Sequence, residues 1–353
     1  LFFLINFTFT QAQWTWQNPY PAGDRLLGVK FISPTVGWAV GARGLILKTT
    51  SGGTRWLQQT SGISDWLYSV SFTDVNNGTV VGRGGRILRT TNGGVNWITQ
   101  TSGTTNYLNG VSFTDANTGT IVGENGTILR TTNGGVNWIT QTSGITNYLN
   151  GVSFTDANNG IAVGSAGTIL RTTNGGNNWV THSSGTTNSL AAVSFTDANN
   201  GTAVGSSGTI LRTTDGGTNW SLQTSETTAD LTNVCFTDAN NGTAVGSNRI
   251  LITTNGGVVW IQQTIVGVGY FTGISFADSN TGTVVGYDPN SSSVIFRTTN
   301  GGIDWMTQTS GTRNGLSDVC FTDANNGTIV GGNGMILRTT NGGTDWVQQT
   351  SGT

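Results

Sequence analysis

The chain has 353 residues, and only 9% are charged, far under the roughly 25% of an average soluble protein. Its 15 Lys and Arg against 17 Asp and Glu leave a net charge of −2, which excludes the clustered cationic surface a nucleic-acid partner needs. With His182 as the single histidine, a His-based triad or a multi-His metal site is excluded, and no cofactor is expected.

Chain order begins with LFFLINFTFTQAQ, an apolar run followed by small and polar residues. It reads as the tail of a secretory signal peptide over residues 1–12. The expected location is therefore outside the cytoplasm: extracellular, at the cell surface or periplasmic. No later segment approaches the ~18 apolar residues of a membrane helix, so no membrane span is expected. Residues 13–353 then repeat one unit. Trp56, Trp97, Trp138, Trp179, Trp220, Trp260, Trp305 and Trp346 recur about every 41 residues, with one interval stretched to 45. Gly, Thr and Asn dominate the composition, as short strands and tight turns require.

The third unit shows the design. LNGVSFT (Leu108–Thr114) is a first strand. DANTG (Asp115–Gly119) is a turn in which Asp and Asn bond their own backbone and Gly takes positive φ. TIVG (Thr120–Gly123) is a second strand, ENG (Glu124–Gly126) an Asn-Gly hairpin, and TILRTT (Thr127–Thr132) a third strand. NGG (Asn133–Gly135) turns into NWITQT (Asn137–Thr142), the fourth strand, and SGITNY (Ser143–Tyr148) leads to the next unit. Four short antiparallel strands per ~40 residues, without helical periodicity, predict an all-β fold. It is a β-propeller of four-stranded blades, eight in number, with seven as the alternative. Trp14-x-x-Gln17 resembles the fourth strand of a unit, so a ninth such strand precedes the first blade. Cys235 and Cys320 stand at equivalent repeat positions separated by a full unit, too far for a disulfide, and are read as buried replacements of Ser.

At TTNGGVNW the chain resembles the Asp-box (BNR) repeat, Ser/Thr-x-Asp/Asn-x-Gly-x-x-Trp. The pairs Asn92 and Trp97, Asn133 and Trp138, Asn174 and Trp179, Asp215 and Trp220 fit it. So do Asn255 and Trp260, Asn300 and Trp305, Asn341 and Trp346. The first unit departs with Ser51 in the acidic or amide position. These residues are read as structural, because Asn or Asp caps the turn, Gly takes a conformation others resist, and Trp buries its ring. The longer stretch SFTDANNGTAVGSSGTILRTTDGGTNW (Ser194–Trp220) resembles the photosystem II assembly/stability factor family, over residues 13–353. That resemblance implies a propeller that binds another protein without catalysis. The expected function is an exported scaffold that binds or helps assemble a protein at the cell envelope. Alternatives are a carbohydrate-binding or glycoside-hydrolase-type propeller, and a structural adhesin module of a longer surface protein.

Glycoside hydrolysis usually needs two positioned carboxylates. The chain has two glutamates, Glu124 and Glu226, and seven of its aspartates are one repeated turn residue, Asp74 to Asp323. No catalytic residue is therefore assigned. Seven units carry a cation on the third strand, from Lys48 and Arg89 to Arg338, while the sixth has Ile252. Pairing with the repeated Asp is the structural reading of this ring. A basic surface for an anionic partner is the alternative.

Repetition marks scaffold, and failure to repeat marks a candidate site. The hairpins between second and third strands and the linkers before each first strand vary most, and they share one face. The hairpin of the seventh unit, Tyr287–Ser293, is the longest. The linkers bring Trp66, Tyr107, Tyr148 and Tyr270 to the mouth of the central channel if the first strand is innermost. Together with Arg83, Arg86 and Glu124, they form the expected partner-binding set, since aromatics with Arg anchor protein interfaces. A protein partner is expected; stacking on sugars leaves carbohydrate open.

Overall fold

The computed structural model describes residues 25–53, 55–263, 269–288, 290, 293–308, 310, 312–349 and 351–352. The signal-like segment and Trp14–Gln17 lie outside the described residues. Eight blades form a ring, each an antiparallel meander of four strands, here called A to D. In blade 3 these are Leu108–Phe113, Gly119–Gly123, Ile128–Thr131 and Ile139–Gln141. Neighbouring A strands touch around the whole ring, the first against the last, so strand A is innermost. No helix among the described residues is long and apolar enough to cross a membrane.

Each blade is too thin to bury its own faces, so the cores lie between blades. Val122 and Ile128 of blade 3 pack on Leu149, Ala162 and Leu170 of blade 4. Val204 and Ile210 of blade 5 pack likewise on Leu231, Ala244 and Leu251 of blade 6. The eighth such core joins Val330 and Ile336 of blade 8 to Leu26, Ala39 and Leu47 of blade 1, and this closes the ring. Outside it, Ser351–Gly352 runs parallel to Trp56 and Leu57, adding a fifth strand to blade 1.

The Asp-box turn works as a corner. In blade 2, Thr90 Oγ1 accepts the Gly94 N–H at 2.8 Å and Asn92 Oδ1 accepts the Asn96 N–H at 3.0 Å. Ser51 fills the amide's place in blade 1, its hydroxyl accepting the Arg55 N–H at 3.1 Å, so the departure in sequence leaves the turn intact. The box Trp meets the last residue of strand A edge-on: Phe113–Trp138 centroids are 6.0 Å apart at 89°. All eight blades repeat this pair, down to Phe31–Trp56 and Phe321–Trp346.

That contact corrects one expectation. Gly119 does not take positive φ; it opens strand B in extended conformation directly opposite Phe113. A Cβ there would lie 2.6 Å from the Phe113 ring. The glycine is required because the Phe ring lies flat across it on its way to Trp138. The Asn-Gly hairpin does behave as expected, with Asn125 at φ 52° and Gly126 at φ 64°. In blade 7 the additional residues partly lengthen strands, pairing Tyr287 with Ser293, so the loop is shorter than the sequence suggests.

Candidate functional site at the channel mouth

The residue before strand A, which in blade 7 is the strand's first residue, is held against the glycine that in the other blades ends strand B. Gly123 ends strand B so close to the linker that a Cβ would lie 2.1 Å from the Tyr107 carbonyl oxygen. That carbonyl then accepts the Glu124 N–H at 2.9 Å. Trp66 and Tyr148 are fixed likewise by the N–H groups of Arg83 and Ser165, both at 2.8 Å. Around the ring this position reads Arg25, Trp66, Tyr107, Tyr148, Ser189, Asp230, Tyr270 and Gly315. Arg25 escapes a search for aromatics, and only the repeat register identifies it.

Strand A carries a β-bulge two residues further on, at Tyr68 in blade 2 and Asn109 in blade 3. A bulge re-aims its side chain. Asn109 Nδ2 donates across to the Leu149 carbonyl of the next blade at 3.0 Å, and Asn150 to that of Leu190 at 2.8 Å. Tyr68 uses the same direction to reach Tyr107, with ring centroids 6.2 Å apart. The Arg83 guanidinium covers the Tyr107 ring at 5.5 Å, a cation–π geometry. Glu124 Oε2 accepts the Tyr107 N–H at 3.1 Å. Partial burial raises the Tyr68 pKa, with Tyr107 and Glu124 adding to the rise and Arg83 opposing it. Arg83, Tyr107 and Glu124 thus come together with Tyr68, a residue absent from the expected set because a bulge is invisible in a repeat pattern.

The other expected residues sit apart. Arg86 Nε donates to Asp65 Oδ2 at 2.6 Å, replacing the neutral pairs Asn106–Thr127 and Asn147–Thr168, each at 2.8 Å, of the following blades. This ion pair borders an open polar groove of about 710 Å³ between blades 1 and 2, with Arg43, Gln58 and Gln59. Trp66 and Tyr148, 39% and 50% exposed, flank the Tyr107 cluster. Tyr270 lies in blade 7, stacked on Tyr287 at 5.6 Å.

On the opposite face the cation ring has a different partner from the one expected. Arg171 Nε donates to the Gly216 carbonyl of the next blade's box turn at 2.7 Å. Arg89, Arg297 and Arg338 reach Gly134, Gly342 and Gly52 in the same way. Lys48 lies over the Trp38 ring at 5.3 Å. The repeated Asp makes its hydrogen bonds within its own turn: Asp156 Oδ1 accepts the Asn158 and Asn159 N–H groups at 2.7 and 2.9 Å. These bonds, with the Asn159 side-chain amide foremost, hold its carboxyl below the usual range. Among the described residues, only Asp278 and Asp323 of the repeated set also feel a ring cation, Arg297 and Arg338. Four arginines of the ring are thus blade-to-blade clamps whose acceptors are carbonyls, because the guanidinium reaches past its own turn, while Arg130 reaches the Asn177 side-chain oxygen of the next blade at 3.2 Å. His182 joins them, its Nδ1 2.8 Å from the Thr218 carbonyl.

The profile of the photosynthesis system II assembly factor YCF48 family matches in three overlapping segments, residues 8–104, 57–143 and 96–183. No curated protein is a significant match. Among solved structures, YCF48 from Cyanidioschyzon merolae is 22% identical with a TM-score of 0.62, covering 92% of this chain and 97% of its own. YCF48 bound to D1 peptide is 19% identical, TM-score 0.61, covering 91% and 93%. The GH74 xyloglucanase from Xanthomonas campestris is 12% identical, TM-score 0.63, covering 94% of this chain and 55% of its own. These identities speak for the fold. The family profile, the Asp-box corners and the closed ring together make the chain an eight-bladed BNR-repeat propeller that resembles the photosystem II assembly factor family.

Proposed function

We propose that this propeller is an exported, non-catalytic scaffold that binds or helps assemble another protein at the cell envelope. The observation that carries the reading is the Tyr68–Tyr107–Arg83 cluster, flanked by exposed Trp66 and Tyr148 on the variable face. Rigid aromatics and an arginine are the side chains that anchor protein interfaces. The likeness to a propeller solved with a D1 peptide supports a polypeptide as the occupant. The reading as non-catalytic rests on how the carboxylates are used. The repeated aspartates are engaged by their own turns, and Glu124 accepts a backbone N–H, so an acid/base pair is not set up. Export rests on the apolar N-terminal segment alone, and cell fractionation tests it.

The direct test is recovery of partners from the native envelope fraction by the wild-type protein and by a Trp66→Ala/Tyr107→Ala/Tyr148→Ala variant. Specific recovery lost in the variant is expected. Equal recovery by both overturns this choice of site.

A further inference from the structure

Blade 8 is the exception on the variable face. Its residue before strand A is Gly315, and its hairpin begins with Gly332, where blades 2 and 3 carry Arg83 and Glu124. Two missing side chains open a hollow of about 330 Å³, lined among the described residues by Arg25, Tyr287, Gly315 and Gly332. The volume is near the lower bound for small-molecule sites. Its aromatic wall is the Tyr287 ring, stacked on Tyr270 at an interplanar angle of 29°. Gly315 lies against that ring, since a Cβ there would come within 3.5 Å of Tyr287 Cδ1. Arg25 stands exposed on the other side, and among the described residues its guanidinium has no acceptor.

We propose that this notch between blades 7 and 1 binds an acidic sugar residue, a pyranose bearing a carboxylate. The C–H face of such a ring packs on a tyrosine, and its carboxylate pairs with Arg25 in the bidentate geometry of a guanidinium. An extended peptide is disfavoured because, among the described residues, the floor offers no ladder to join. The Gly332 N–H is spent on the Gly315 carbonyl at 2.7 Å and the Gly331 N–H on Met335 at 3.0 Å. This inference is independent of the protein-partner reading, whose cluster lies on blades 2 and 3.

Saturation-transfer NMR and titration with D-glucuronate and D-glucose test it on the full chain. Glucuronate should bind at least about tenfold more tightly than glucose, as one charge-assisted bond provides. Arg25→Met should erase that preference. Gly332→Glu installs the residue that blade 3 tolerates at the same position and should abolish binding, and Gly332→Ser, matching blades 4 to 6, should weaken it. Arg83→Ala/Tyr107→Ala should leave it unchanged. Equal affinity for the two sugars, no saturation transfer to the wild type, or full binding in a folded Gly332→Glu overturns the proposal. So does a Glu-Tyr dipeptide binding tenfold tighter than glucuronate.

Discussion

The Asp318 carboxylate of the last blade accepts the backbone N–H of Val29 in the first at 3.1 Å. Its other oxygen accepts the Val319 N–H at 2.9 Å. Blades 3 and 4 carry Gly110 and Gly151 here, and blades 2, 5 and 6 carry Ser69, Ala192 and Asn233. At the closing seam a carboxylate occupies this position instead.

This position makes the seam pH-sensitive. Burial pushes the Asp318 carboxyl up to about 6 from 3.8, outweighing the two N–H bonds and the pull of Lys30. A raised acid pKa means that the folded state holds its proton longer, so this group's contribution is fully present below the unfolded value. It is lost as pH rises through about 6. Asp318→Asn should stabilise the ring above that pH by less than roughly 3 kcal/mol, because the amide has a single acceptor oxygen for the two N–H groups, and the advantage over wild type should fall as pH drops toward 4. Denaturant midpoints across that range, compared with wild type, check it. The turn aspartates act with the opposite sign: Asp215, held down to about 2 by the Asn219 backbone and side-chain amides, loses its contribution only as pH falls toward that value.

The arginine clamps predict a loss of stability indifferent to salt. Arg171→Ala should cost about 1.5–3 kcal/mol, the range of a bond from a charged donor, and Arg171→Lys should not restore it, because a lysine lacks the guanidinium fork. Since the acceptor is the Gly216 carbonyl, the penalty should be similar at low and high ionic strength. A penalty that disappears in salt would return the partner to aspartate.

Glu226 sits at φ 53°, where the equivalent linkers carry Gly62, Gly103, Gly144 and Gly185. A Cβ at those glycines would touch nothing within 4 Å, so the cost at Glu226 is backbone strain alone. Glu226→Gly should raise stability by about 1 kcal/mol, read as a higher melting temperature, and Gly103→Glu should lower it by a similar amount.

Gly119→Ala should destabilise by about 1–3 kcal/mol through overpacking, because the new Cβ meets the Phe113 ring at 2.6 Å. Combining it with Phe113→Leu should recover part of the loss. Strict additivity of the two in a double-mutant cycle would show that ring and glycine are uncoupled.

Much of the fold is legible in the repeat. The Trp interval yields eight blades, the residue spacing yields the order of strands, and the box pattern yields the corner that Thr90, Asn92 and Gly94 form. The candidate site is legible in part: Tyr107, Arg83 and Glu124 are marked by failing to repeat. Tyr68 is hidden, because only the bulge in strand A turns its ring toward Tyr107. Arg25 and Gly315 are hidden for another reason, since a missing side chain gains meaning only beside the neighbours that surround the gap.

Local chemistry repeats with the chain, and so turns, strands and blade number follow from the sequence alone. The partners of Arg171, Asp318 and Tyr68 lie on the next blade, about 40 residues away or at the far end of the chain. Which carbonyl, N–H or ring each one meets depends on how blades are angled and spaced around the axis, and the packing of the eight cores between them decides that.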